Sequence, residues 1–171
     1  GRHEINEFGF VADEQADLEN HGGHDKAIHH YATDHYADWI AEQRGRVGTE
    51  IVGYDAEAAG QLALCDRALA RLREGIDVLT TDDAALAAFR FANRAMATQR
   101  VRSIYALKRR RGETVTLADL DVTRNRSWRP FQLAFLLLSV PAMADPTHPD
   151  RTDPAEAVAD LIWFPTGGGK T

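Results

Sequence analysis

Apolar positions fall into helical spacing along most of the chain, and the spacing changes from one segment to the next. Ala27, Ile28, Tyr31, Ala32, His35, Tyr36, Trp39 and Ile40 recur as pairs every four residues. That places them on one side of a helix running to about Arg44, where Gly45 and Gly48 stop it. Leu62, Cys65, Leu69, Leu72, Ile76 and Leu79 alternate steps of three and four, the seam of a helix packed on other helices, with Gly60 and Gly75 blurring its limits. Thr80, Thr81, Asp82 and Asp83 read as the start of a further long helix, because a hydroxyl caps free amides and carboxylates suit the positive end of the dipole. Leu86, Phe89, Ala92, Met96, Ile104 and Leu107 share one of its faces, with Asn93, Gln99 and Arg100 close to that stripe. A polar group buried there needs a partner. Lys108, Arg109, Arg110 and Arg111 stand at the negative end of the dipole, and Gly112 closes the element.

The later pattern is less regular. Residues 113–127, with Val115, Leu117, Leu120 and Val122, read as a linker or a short extended piece. Pro130 suits the first turn of a helix carrying Phe131, Leu133, Ala134, Phe135, Leu136, Leu137, Leu138 and Val140, apolar nearly all round and so expected to be buried. Pro141, Pro146, Pro149 and Pro154 mark a long irregular connection. After a short helix over 155–159, Asp160-Leu161-Ile162-Trp163-Phe164 reads as a buried strand ended by Pro165. Residues 1–25 lack a sustained period and are expected to form a mobile or loosely attached acidic arm, 26–126 a helical domain, and 127–171 the start of a second unit. No repeat at a solenoid period is present.

Composition adds limits. With 171 residues, 44% hydrophobic and 27% charged, the chain suits one domain or one domain and the beginning of another. No run approaches the roughly 20 apolar residues of a membrane span. The single Cys65 closes no internal disulfide and no leader pattern appears, so a reducing cytoplasm is the expected setting. There is no initiator Met, and the last residues fall within a motif that ought to lead into a helix, so a part of a longer protein is expected. The net charge of −6 argues against a non-specific nucleic-acid coat, yet it is unevenly spread. Residues 1–83 hold 7 basic and 18 acidic groups, 84–129 hold 11 and 3, and 130–171 hold 2 and 5.

Chemistry concentrates at the C-terminal end. A buried-strand pattern runs into Pro165-Thr166-Gly167-Gly168-Gly169-Lys170-Thr171, the pattern of a phosphate cradle. Glycines let successive amides turn toward phosphate oxygens, the lysine ammonium reaches the outer phosphates, and the threonine hydroxyl ligates Mg2+. FPTGGGKT resembles the first motif of superfamily 2 helicases, with Phe164 in place of a small residue. Trp128-Arg129-Pro130-Phe131-Gln132 resembles the glutamine motif of the same enzymes, in which an amide reads adenine through one donor and one acceptor side by side. Thirty-eight positions separate Gln132 from Lys170.

Together, RPFQLAFLLLSVPAMADPTHPDR and DLIWFPTGGGKT, with AFRFANRAMATQR, resemble the DrmA helicases of bacterial anti-phage DISARM systems over about the last ninety residues. The resemblance implies a mainly α chain: a helical domain followed by the truncated start of an α/β RecA-like ATPase domain. It further implies ATP and Mg2+ as cofactors, with Lys170 catalytic and Arg129, Gln132, Thr166, Gly167, Gly168, Gly169, Lys170 and Thr171 holding the nucleotide. Thr171 would be the metal ligand. DNA, single-stranded by expectation, and a DrmB-like protein are the implied partners. An isolated stretch of this length would be inactive, since the acidic motif that positions water and magnesium lies further on.

Two other features carry alternatives. Arg90, Arg94, Arg100, Arg102, Lys108, Arg109, Arg110 and Arg111 occur with no acid between Ala84 and Gly112. Of these, Arg100, Arg102 and residues 108–111 are the candidates for gripping phosphates; the other reading is a solvated face paired with the acidic first half. His21, His24, His29, His30 and His35 lie near Asp25 and Asp34 without a metal-binding framework. Cys65 reads as a small hydrophobe and Trp39, Phe89 and Met96 as core, while Trp128 is either a core residue or a base-stacking neighbour. A non-enzymatic helical module that holds a partner protein or nucleic acid is the alternative to the enzyme.

Overall fold

The computed structural model describes residues 33–155 and 157–160. Among them stand α1 (His35–Arg46), α2 (Asp55–Thr81), α3 (Asp83–Arg110), α4 (Leu117–Leu120), α5 (Thr123–Arg126), α6 (Pro130–Ala144) and α7 (Pro149–Thr152), and no strand. The expected mainly helical class holds for this part. The acidic arm, positions 27–32 of the first helix, and the strand and glycine loop over 161–171 lie outside the described residues.

α2 organises the rest. Its Leu72, Ile76 and Leu79 join Phe89 of α3 and Leu133, Leu137 and Val140 of α6 in one buried cluster, while Leu62 and Leu69 close over Ile40 of α1 in another. Both clusters use the three-and-four seam expected of this segment. Burying a Leu or Ile side chain is worth roughly 1.5–3 kcal/mol, so the α2 stripe supplies most of what holds α1 and α6 in place.

Gly75 is the point of nearest approach. It lies in the interior of α2, where a glycine costs about 1 kcal/mol relative to alanine. A Cβ built on it would stand 2.1 Å from the carbonyl oxygen of Leu137 and 2.9 Å from its carbonyl carbon. The sequence supplies the complementary half: position 141 is proline, and α6 continues through it to Ala144. Lacking an N–H, Pro141 cannot donate the usual i→i−4 bond to Leu137, and the carbonyl so released meets the bare backbone of Gly75. A Cα–H···O contact of this kind accompanies close helix–helix packing.

The structure corrects several local expectations. α1 passes through Gly45 and ends at Arg46. Trp39 is 46% exposed rather than core, because Ile40 takes the inward position and the indole lies outside, stacked on Tyr36 at 5.9 Å between ring centroids. Gly60 and Gly75 lie within α2. Thr80 and Thr81 finish α2, their hydroxyls donating to the Asp77 carbonyl at 2.9 and 2.7 Å. The cap of α3 is instead the Asp82 carboxylate, which accepts from the Ala84 and Ala85 amides at 2.8 and 3.0 Å.

The inward face of α3 is Phe89, Asn93, Ala97 and Val101, in steps of four, while Met96 is half-buried and Leu107 exposed. Residues 113–127 form two single turns instead of an extended piece. Thr116 Oγ1 accepts from the Asp119 amide, Asp119 Oδ2 accepts from the Thr116 amide, and Leu120 is thereby turned into the core. The last short helix is Pro149–Thr152 rather than 155–159, since His148 caps it and Pro149 suits its first turn.

Gly75→Ala should destabilise the chain by about 1–3 kcal/mol, because the methyl meets backbone rather than a side chain that can swing away. Gly60→Ala, also within α2 but with open space around its Cα, should stabilise it by about 0.5–1 kcal/mol. Urea unfolding monitored by circular dichroism checks both, and a Gly75→Ala variant as stable as the parent would contradict the close-packing account.

Candidate functional site

The residues of the expected glutamine motif occupy the entry to α6. Trp128 donates its indole N–H to Asn93 Oδ1 at 2.6 Å and packs against the α2–α3–α6 cluster. Asn93 is fully buried, and because an indole N–H only donates, its amide must present oxygen to Trp128. Trp128 is therefore a core partner of α3. The opposite atom, Asn93 Nδ2, is buried with no hydrogen-bond partner among the described residues. The residue after Trp128, Arg129, is exposed and starts the helix; its backbone N–H donates to Gln132 Oε1 at 3.0 Å. Gln132 thus reaches back to close the first turn. The remaining nucleotide candidates, Thr166, Gly167, Gly168, Gly169, Lys170 and Thr171, lie outside the described residues.

α3 carries the basic candidates. Its outward side, opposite Phe89, Asn93, Ala97 and Val101, aligns Phe91, Thr98, Arg102 and Arg109 at steps of seven, four and seven, with Arg94 beside them. At 1.5 Å per residue this row spans about 27 Å. Phe91 is 67% exposed. Arg94, Arg100, Arg102, Arg109, Arg110 and Arg111 form no ion pair with any described carboxylate, while the acids before position 33 lie outside the described residues. Lys108 differs, because it pairs with Glu113 just beyond the helix. Arg109 and Arg110 donate to the carbonyls of Glu113 and Ala106 at 3.4 and 3.3 Å, as cations do at a helix C-terminus.

The six nominated cations therefore do not share one face. Arg102 and Arg109 do, Arg100 projects from the other side of α3, and Phe91 and Arg94 complete the row. The signal for Phe91 was present in the sequence as helical spacing, hidden by the habit of assigning aromatics to the core. Beside the row lies a groove of about 500 Å³ between α3, α4 and α5, lined by Arg94, Val101, Arg102, Leu117, Asp121 and Arg126.

A third cluster was not anticipated. Arg71 of α2, 14% exposed, donates from Nε to Asp150 at 2.7 Å and from its two terminal nitrogens to both oxygens of Asp160 at 2.7 and 2.8 Å. One of those nitrogens also points to the Leu138 carbonyl at 3.4 Å. The hydrogen bond from Arg71 holds the Asp160 carboxyl below the usual carboxylate range, and Asp160 in turn keeps the guanidinium still more firmly protonated. One turn along α2, Glu74 meets His148 Nε2 at 2.9 Å. The Asp150 amide donates to His148 Nδ1, which fixes the ring proton on Nε2 facing Glu74. In the other core cluster the Tyr36 hydroxyl is pushed up to about 12, first by burial and then by its hydrogen bond with Cys65. His35 is exposed on α1; the other four histidines of that group lie outside the described residues.

These elements define a helical module whose C-terminal connection is clamped to its longest buried seam. No family model matches the chain. It is similar to the DISARM protein DrmA of Bacillus paralicheniformis, with 41% identity over 109 residues. That match covers 63% of this chain and 9% of the relative, so the chain spans a small part of the protein it resembles. The resemblance read from the motifs is thereby upheld at the level of sequence similarity.

Trp128→Phe should cost about 1–3 kcal/mol, since it leaves the Asn93 amide buried with both polar atoms unpaired. Adding Asn93→Leu should recover part of that loss, because both polar partners are then gone. A double-mutant cycle by denaturant unfolding measures the coupling, and strictly additive losses would show the hydrogen bond to be energetically idle.

Proposed function

We propose that this chain is part of an ATP-dependent DNA helicase or translocase of superfamily 2, acting in the cytoplasm in anti-phage defence of the DISARM type. The observation that carries the reading is the run Asp160 to Thr171, a strand pattern entering Gly167-Gly168-Gly169-Lys170-Thr171. Similarity to the DISARM protein DrmA supports the defence part of the reading.

In this reading the glycine amides and the Lys170 ammonium bind the phosphates, the Thr171 hydroxyl ligates Mg2+, and Gln132 with Arg129 selects adenine. When bound, ATP supplies the phosphoryl group transferred to water, and magnesium neutralises its phosphate charge. Gln132 stands at the start of a helix, where the bond from the Arg129 amide holds its side chain. Trp128 is assigned to the core in this reading, since its indole packs on the α2–α3–α6 cluster and its N–H bonds Asn93. The outward row of α3 would hold a single strand, its arginines on phosphates and Phe91 on a base. A DrmB-like protein is the proposed protein partner. The alternative of a non-enzymatic module that only binds nucleic acid is favoured by the same exposed row, and ATP turnover decides between them.

In the full-length protein Lys170→Ala should abolish ATP hydrolysis, at least 100-fold by steady-state assay, an estimate on the order of losing one main charge stabiliser of phosphoryl transfer. Retained turnover would remove the phosphate-loop assignment. Gln132→Ala should narrow the preference for ATP over other nucleoside triphosphates, and an unchanged preference would end its adenine role. Replacing Arg94, Arg102 and Arg109 together by Gln should lower single-strand affinity and reduce the log–log salt slope by about 2, at roughly 0.7 per phosphate contact. A slope equal to that of the parent protein would take α3 off the DNA path.

A further inference from the structure

We propose that Arg71 is a positioning residue for the nucleotide site: it fixes the chain entering the phosphate loop to the helical body through Asp160, so that loop and body respond to each other. The inference rests on the phosphate-loop reading and adds its regulation. Asp160 stands ten positions ahead of Lys170, directly before the apolar run Leu161-Ile162-Trp163-Phe164. Its carboxylate takes two parallel N–H bonds from one guanidinium, the geometry that defines both position and orientation.

The same guanidinium reaches Asp150 and points to the Leu138 carbonyl, three points of the chain after α5 gathered on one side chain. A lysine could not reproduce this, since an ammonium lacks the planar fork. The anchor on the other side is rigid. Arg71 precedes buried Leu72 and lies one turn from Gly75, where α2 and α6 touch backbone to backbone. A displacement felt at Asp160 is therefore passed to the turn of α2 that meets α6 at Gly75.

A brace that serves only folding predicts something different from a positioning residue. Loss of folded protein lowers apparent kcat and the thermal midpoint and leaves the KM for ATP unchanged, whereas a misplaced loop raises KM. In the full-length protein Asp160→Asn should raise the KM for ATP about 5-fold or more, the low end of typical coupling between sites. Asp160→Glu, which keeps the fork, should return KM most of the way to the parent value. Arg71→Lys should resemble Asp160→Asn. As a second measurement on the unmodified protein, ATP should slow hydrogen exchange across residues 68–75. An unchanged KM in Asp160→Asn together with nucleotide-independent exchange would overturn the proposal. Lys170→Ala separates the two levels: if it abolishes turnover while Asp160→Asn is silent, only the role of Arg71 falls. If the parent protein shows no ATP turnover, both fall.

Discussion

One backbone contact sets the architecture. α2 and α6 can approach as they do only because Gly75 offers no side chain and the Leu137 carbonyl has no helical N–H to bond. Each half of the contact is unfavourable by itself, a glycine inside one helix and a proline inside the other. Placed opposite each other they remove one another's cost: the proline frees an acceptor, and the glycine lets it in. With the axes that close, Leu72, Ile76, Leu133 and Leu137 interlock, and Leu137 is completely shielded from solvent.

The polar contacts of the connection follow from that approach. Arg71 and Glu74 stand on the turn of α2 next to Gly75, and the chain leaving α6 passes within reach of both. The ion pairs so formed are partly buried, which makes removal of one partner more costly than the pair is stabilising. Their value is specificity: a guanidinium whose donors go to two carboxylates and a carbonyl accepts one arrangement of the connection and excludes slippage. Asn93 and Trp128 do the same at the other end of α6. An amide placed in an otherwise apolar face fixes where the indole, and with it the start of α6, must lie.

The long helices were legible because their apolar steps survive any plausible packing. The seam of α2 reads correctly from Leu62 to Leu79. The inward face of α3 did not, since alanines carry little pattern and the buried ladder includes Asn93, which hydropathy places outside. Pro141 reads as a breaker because the rule concerns a proline's own helix and does not see the glycine across the interface. Capping was half legible: the start of α3 was expected in the right place, but the hydroxyls belong to the preceding helix and the carboxylate does the work. Arg71 left no trace at all, since its partners lie 79 and 89 positions away. The glycine loop is the reverse case, evident in sequence and outside the described residues.

Charge along the chain acquires its meaning from the same packing. α3 spends its inner face on Phe89, Asn93, Ala97 and Val101, and the short helices α4 and α5 cover only part of its flank, so Arg94, Arg102 and Arg109 are left facing solvent. The described acids that do find a cation find other ones: Asp66 of α2 is held by Arg44, and Asp150 and Asp160 of the C-terminal connection by Arg71. A net charge of −6 then says little about what a ligand meets at this surface. The row from Phe91 to Arg109 is about 27 Å long, whereas screening at physiological salt acts over about 8 Å. A polyanion lying along α3 interacts with the local row of guanidinium groups, and the acidic remainder of the chain is largely hidden from it by the intervening ions.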